Sequence, residues 1–103
     1  MIEGIVSDVI LSDIVKERIR QNELKSAGRF KYTCADIEMT DADCLPVLVE
    51  EVGELSRALL ESGKLANEKS FDLHGKDMRK ELVQVAAIAV AWIERIDNRD
   101  KNS

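Results

Sequence analysis

The chain has 103 residues, 45% hydrophobic and 34% charged, with five glycines, one proline and four aromatics. That length makes one domain, and so few turn residues argue against a many-stranded β sandwich or barrel, while the apolar fraction argues against wholesale disorder. Fifteen basic against twenty acidic residues leave a net charge of −5, which repels the backbone of a nucleic-acid polymer but admits a small phosphorylated molecule bridged by a divalent cation.

Hydrophobic spacing predicts three helices and one long connector, with residues 1–11 and 97–103 peripheral to a single domain spanning 1–103. The first helix is expected over residues 12–25, where Ile14, Val15 and Ile19 share a face and Ser12 or Asp13 caps the start. Residues 1–11 read either as an extension of this helix, a separate turn, or a short strand. Residues 26–43 lose periodicity and collect Gly28, Thr33, Asp36, Thr40 and Asp41. A loop of that length in a small domain is uncommon and often functional. It also carries Phe30 and Tyr32 beside Arg29 and Lys31.

The second helix is expected from Asp43, with Pro46 in its first turn, to Ser62, with Gly63 as the stop. Leu48, Val52, Leu55 and Leu59 give it an apolar stripe. A polar connector over residues 64–70 leads to a third helix starting at Leu73 or Lys76 and ending at Arg95. Between Leu82 and Ile93 this helix has a single polar residue, Gln84. A helix apolar on every side must be covered on every side, and three short helices do not supply that cover. The expected architecture is therefore all-α, an antiparallel helical bundle completed by homo-oligomerisation, as a homodimer or a homotetramer.

No stretch reaches the roughly 18–20 apolar residues that a membrane span requires, and the acidic start lacks the basic region of a signal peptide. No membrane partner and a cytoplasmic location are expected. Cys34 and Cys44 fit neither a disulfide framework nor a zinc motif and read as two reduced thiols.

The second helix carries Glu50-Glu51-Val52-Gly53-Glu54 and the third carries Glu81-Leu82-Val83-Gln84. At about 100° per residue, Glu51 falls at the edge of the apolar stripe and Glu54 lies one turn on. Several carboxylates in a half-buried seam repel one another unless a cation compensates them. Arg57 is placed to pair with Glu54 and Glu61 on the outer side, which leaves the inner side to Mg²⁺, or Mn²⁺ in its place, as counter-charge. Gly53 is expected to let a neighbouring helix or ligand come close. The alternative reading of the same glutamates is a solvated helix face.

Glu-Glu-x-x-Glu followed after a connector by Glu-x-x-Asp resembles the metal-binding signature of the MazG-like all-α nucleoside triphosphate pyrophosphohydrolases. Glu50, Glu51 and Glu54 match the first half and Glu81 opens the second. The similarity runs from residue 33 to 96, and the segment 17–23 also resembles the first helix of small members. The resemblance implies Mg²⁺-dependent hydrolysis of a nucleoside triphosphate to the monophosphate and pyrophosphate. It implies Glu51, Glu54, Glu81 and Gln84 as metal ligands and Glu50 as the residue that orients or deprotonates water. Gln84 stands where the family pattern has Asp. An amide oxygen still ligates Mg²⁺ but brings no charge, so the site holds one ion or two, and Asp77 is a second candidate to complete it.

For substrate binding, Lys80, with Lys76 and Arg79, reads as a phosphate contact or a solvated basic turn. Gln21 and Asn22 read as base contacts or exposed helix polarity. Phe30, Tyr32 or Trp92 are candidates to stack on the base, with core packing the favoured reading of Trp92 at the end of an apolar helix. His74 reads as a surface or capping residue. The competing function is a non-catalytic helical oligomeric interaction module whose metal site has degenerated at Gln84.

Overall fold

Helix α1 (Asp8–Ser26), helix α2 (Asp41–Leu65) and helix α3 (Glu68–Asn102) make up a computed structural model of the chain. It describes the backbone of residues 6–65 and 68–102 and the side chains of residues 6–60 and 78–100. Among the described residues there is no strand, so the fold is all-α. No helix among them is long and apolar enough to cross a membrane.

Helix α1 starts four residues earlier than the spacing predicts, because Ser7 rather than Ser12 or Asp13 caps it. The Ser7 Oγ accepts from the Val9 N–H at 3.1 Å, and Asp8 places a negative charge in the first turn. Residues 8–11 are thus helix and not strand. The helix stops at Gly28, whose φ of +80° is open to glycine without strain. Around it the Gly28 N–H bonds to the Lys25 carbonyl and the Arg29 N–H to the Leu24 carbonyl.

Helix α2 begins two residues before Asp43. Thr40 and Asp43 form a reciprocal cap: the Asp43 N–H donates to the Thr40 Oγ1 at 3.2 Å and the Thr40 N–H to the Asp43 Oδ2 at 3.0 Å. Pro46 consequently lies beyond the first turn, where its missing N–H leaves the Ala42 carbonyl without a helical donor. Gly63 does not end α2, which continues to Leu65, and α3 begins at Glu68 and runs past Arg95 to Asn102.

Helix α3 is the shared element, packing α2 on one side and α1 on the other. Asp41 at the start of α2 accepts from the Trp92 Nε1 at 2.7 Å and pairs with Arg95, so α2 and α3 run antiparallel. Arg79 reaches Asp13 at 2.7 Å and Arg18 reaches Glu94 at 2.9 Å, so α1 runs in the same sense as α3. The small residues Ala87 and Ala91, buried with Ile88, let α3 approach its neighbours. Cys34 and Cys44 close this core, both as free thiols, with Ala35, Met39, Leu48 and Trp92 packed around it.

Two helices face differently from expectation. In α1 the inward side is polar: Arg18 and Gln21 are buried, whereas Val15 and Ile19 are more than half exposed. In α2 the half-buried positions are Leu48, Glu51, Leu55 and Ala58, while Val52 and Leu59 join Leu45 and Val49 on an exposed apolar stripe. Leu82 and Ile93 of α3 are likewise more than half exposed.

Candidate active site

The divergence of α1 and α2 leaves a cleft of about 190 Å³ floored by α3. Glu17, Arg20 and Gln21 form one wall, Val47 and Glu51 the other, and Gln84, Ile88 and Ala91 the floor. The connector closes the end with Phe30, Tyr32, Thr33, Cys34 and Met39. Asp36 organises this connector: it pairs with Lys25 and accepts from the Thr33 N–H at 2.7 Å. The long loop is therefore a built part of the cleft. Burial and the neighbouring Cys44 push the Cys34 thiol up to about 12, which keeps it protonated.

At one edge of the cleft, Glu51 and Glu54 of α2 meet Glu81 of α3. One carboxylate oxygen from each lies within 4.8 Å of the others. Oxygens bound about 2.1 Å from one shared cation stand at most about 4.2 Å apart, so small side-chain movements suffice to close on one. The Oε2 atoms of Glu51 and Glu81 are buried without a hydrogen-bond partner. Burial, followed by the negative charges of Glu54, Glu81 and Glu50, raises the Glu51 carboxyl above its ordinary value. A hard divalent ion is the group that this donor set fits: all-oxygen, anionic, mutually repelling and short of hydrogen bonds.

The remaining candidates fall in different places. Gln84, one turn beyond Glu81, lies half-buried in the cleft floor, while Glu50 is exposed and acts on Glu51 through its charge. Gln21 is buried in the cleft wall, but Asn22 is exposed and accepts from Arg18 at 3.4 Å. Lys80 lines an adjoining open groove with Lys16, Arg20 and Arg79. Phe30 and Tyr32 line the cleft, and Trp92 packs on the core instead. The side chains of His74, Lys76, Asp77 and Glu61 lie outside the described residues. Gly53 makes no close approach: a Cβ there would meet nothing within 4 Å.

Glu17, Arg18 and Arg20 escaped the residue-by-residue reading as site residues. Arg20 grips Glu17 through two hydrogen bonds of 2.8 and 2.7 Å, which is the main cause holding the Glu17 carboxyl below its ordinary value. Their place in the cleft follows from the rotation of α1 that buries Arg18 and Gln21, which its apolar spacing does not report. Compared with protein-family models, curated proteins and solved structures, the chain matches none.

Proposed function

We propose that the chain is a Mg²⁺-dependent nucleoside triphosphate pyrophosphohydrolase, converting a nucleoside triphosphate and water to the monophosphate and pyrophosphate. The observation that carries this reading is the trio Glu51, Glu54 and Glu81, two of whose oxygens are buried without partners, at the edge of a cleft with aromatic residues at its end. The resemblance of the paired acidic motifs to MazG-like enzymes supports it. Mg²⁺ held by these carboxylates would neutralise the triphosphate and lower the pKa of an attacking water.

The chain's own residues do the rest. Glu51, Glu54 and Glu81 hold the cation, and Gln84 offers an uncharged oxygen one turn away. Glu50, next to Glu51, orients or deprotonates the water that attacks the α-phosphorus, and pyrophosphate leaves from the opposite side. Lys80, in the groove beside Glu81, steadies phosphate oxygens as a point charge. The aromatic end of the cleft receives the base. A second copy of the chain covers the exposed stripes of α1 and α2, in keeping with the small core among the described residues.

Incubation of the purified chain with Mg²⁺ or Mn²⁺ and a panel of nucleoside triphosphates tests the reading. Pyrophosphate release is expected from at least one of them. No release from any, together with a melting temperature that does not respond to Mg²⁺, overturns it and favours the interaction module, for which the uncharged Gln84 in the cleft floor is the supporting observation.

A further inference from the structure

Arg18 is buried in a protein whose other charges mostly face solvent; only 6% of its surface is exposed. Its guanidinium binds Glu94 of α3 twice, Nε to Oε1 at 3.3 Å and Nη2 to Oε2 at 2.9 Å. The remaining nitrogen, Nη1, donates to the Gln21 Oε1 at 2.8 Å. Because a guanidinium only donates, the Gln21 amide must turn its oxygen to Arg18. At its other end, the Gln21 Nε2 donates to the Glu17 Oε2 at 3.3 Å. Glu17 is held ionised by Arg20 and only accepts. Both neighbours thus dictate the same orientation, and they leave one N–H of the cleft-lining Gln21 amide uncommitted.

The cleft wall reads in order Gln21, Glu17, Arg20, since Glu17 is bonded to the residues on both sides of it. In hydrogen-bonding terms that is donor, acceptor, donor. The complementary ligand edge is acceptor, donor, acceptor, which is the imide edge O=C–NH–C=O of uracil or thymine. Cytosine offers acceptor, acceptor, donor. It would set its ring-nitrogen lone pair against the Glu17 carboxylate and its amino hydrogens against a donor.

We infer that Arg18 is a positioning residue that fixes the Gln21 amide, so that the Gln21–Glu17–Arg20 wall selects a uracil or thymine base over cytosine. The inference rests on the proposed nucleotide-binding reading of the cleft and adds to it the class of base. It assigns Arg18 a role without contact to the ligand. Asn22 takes no part, since it is exposed behind Arg18.

Calorimetric titration of the full chain, in Mg²⁺, with the non-hydrolysable α,β-imido triphosphates of deoxyuridine, N3-methyldeoxyuridine and deoxycytidine tests it. Deoxyuridine is expected to bind at least about tenfold more tightly than either of the others. The ratio of affinities is the readout, because the nucleotides share sugar and triphosphate and a purely structural defect weakens all three alike. Arg18→Met should reduce the ratio to less than about threefold, and Arg18→Lys, which keeps one donor for Gln21, should largely restore it. Equal binding by the wild type overturns this assignment and leaves the hydrolase reading standing. Binding of none overturns this assignment, and the hydrolase reading falls with it only if no triphosphate of the wider panel releases pyrophosphate either. A ratio unchanged in folded Arg18→Met overturns the role of Arg18. If that variant does not fold, Gln21→Glu decides, because replacing the donor by an acceptor must abolish the preference, and a preference that survives it overturns the inference.

Discussion

Glu51 sits where burial and three neighbouring carboxylates all oppose its charge. Its carboxyl titrates above the ordinary value of 4.5, so the ionised side chain destabilises the fold at neutral pH. That penalty lifts as pH falls through the raised pKa. Glu17, Asp36, Asp41 and Asp43 are displaced the other way, and the stability they contribute persists until pH drops below the ordinary carboxylate range. Without Mg²⁺ the melting temperature is therefore expected to rise as pH falls from neutrality through the raised Glu51 pKa, and to fall once pH drops below the ordinary carboxylate range. Glu51→Gln removes the charge with little change of volume. It should raise the Mg²⁺-free melting temperature, flatten this rise, and abolish both the Mg²⁺-induced stabilisation and turnover. A lower Mg²⁺-free melting temperature for Glu51→Gln would contradict this account of the trio.

At the scale of the helices, two polar devices fix how the elements meet. The Thr40–Asp43 cap sets where α2 starts and thereby brings Asp41 to Trp92 and Arg95. Thr40→Ala should cost about 1 kcal/mol in urea denaturation, the usual worth of an N-cap. The Arg18–Glu94 pair joins α1 to α3. Glu94→Ala leaves the buried Arg18 guanidinium without its ionic partner and should cost about 2 kcal/mol, discounted because Glu94 itself is 44% exposed. The three helices were legible from apolar spacing, and the pairing of Glu51 and Glu54 with Glu81 from the placement of two acidic motifs. The rotation of α1 was not. Its apolar residues Val15 and Ile19 point outward while Arg18 and Gln21 turn in, and hydrophobic periodicity reports which residues share a side without saying what covers it. The start of α2 was readable in principle, since Thr40 and Asp43 have capping-box spacing, but Asp43 itself is as good a cap on residue type alone. The contribution of Arg20 and Glu17 to the cleft depends on α1 facing α3, which spacing along α1 does not encode.

For the whole molecule, the buried apolar residues among those described are Cys34, Cys44, Ala87, Ile88 and Ala91, and Cys44 is the largest fully buried side chain. Cores of small domains ordinarily enclose Leu, Ile and Phe. The radius of gyration is 15.9 Å and the long dimension 53 Å, against about 13 Å for a compact chain of about 100 residues. So small a buried set among the described residues accords with the proposed self-association through Leu45 and Val49 of α2 and Val15 and Ile19 of α1. Sedimentation equilibrium should return a multiple of 11.6 kDa. Val15→Glu and Val49→Glu should each shift the population towards the single chain, and a wild type that sediments as a single chain at all concentrations contradicts the self-association.

So small a core among the described residues has a consequence for how the protein responds to dilution. If most apolar burial happens between chains, folding and assembly are one equilibrium, and the unfolding midpoint becomes a function of how much protein is in the tube. The melting temperature should then climb with concentration, and assays run at nanomolar protein should lose activity over time in a way that added carrier protein does not rescue but more of the same chain does. The dose of the protein, as much as its sequence, would set how long the cleft stays formed.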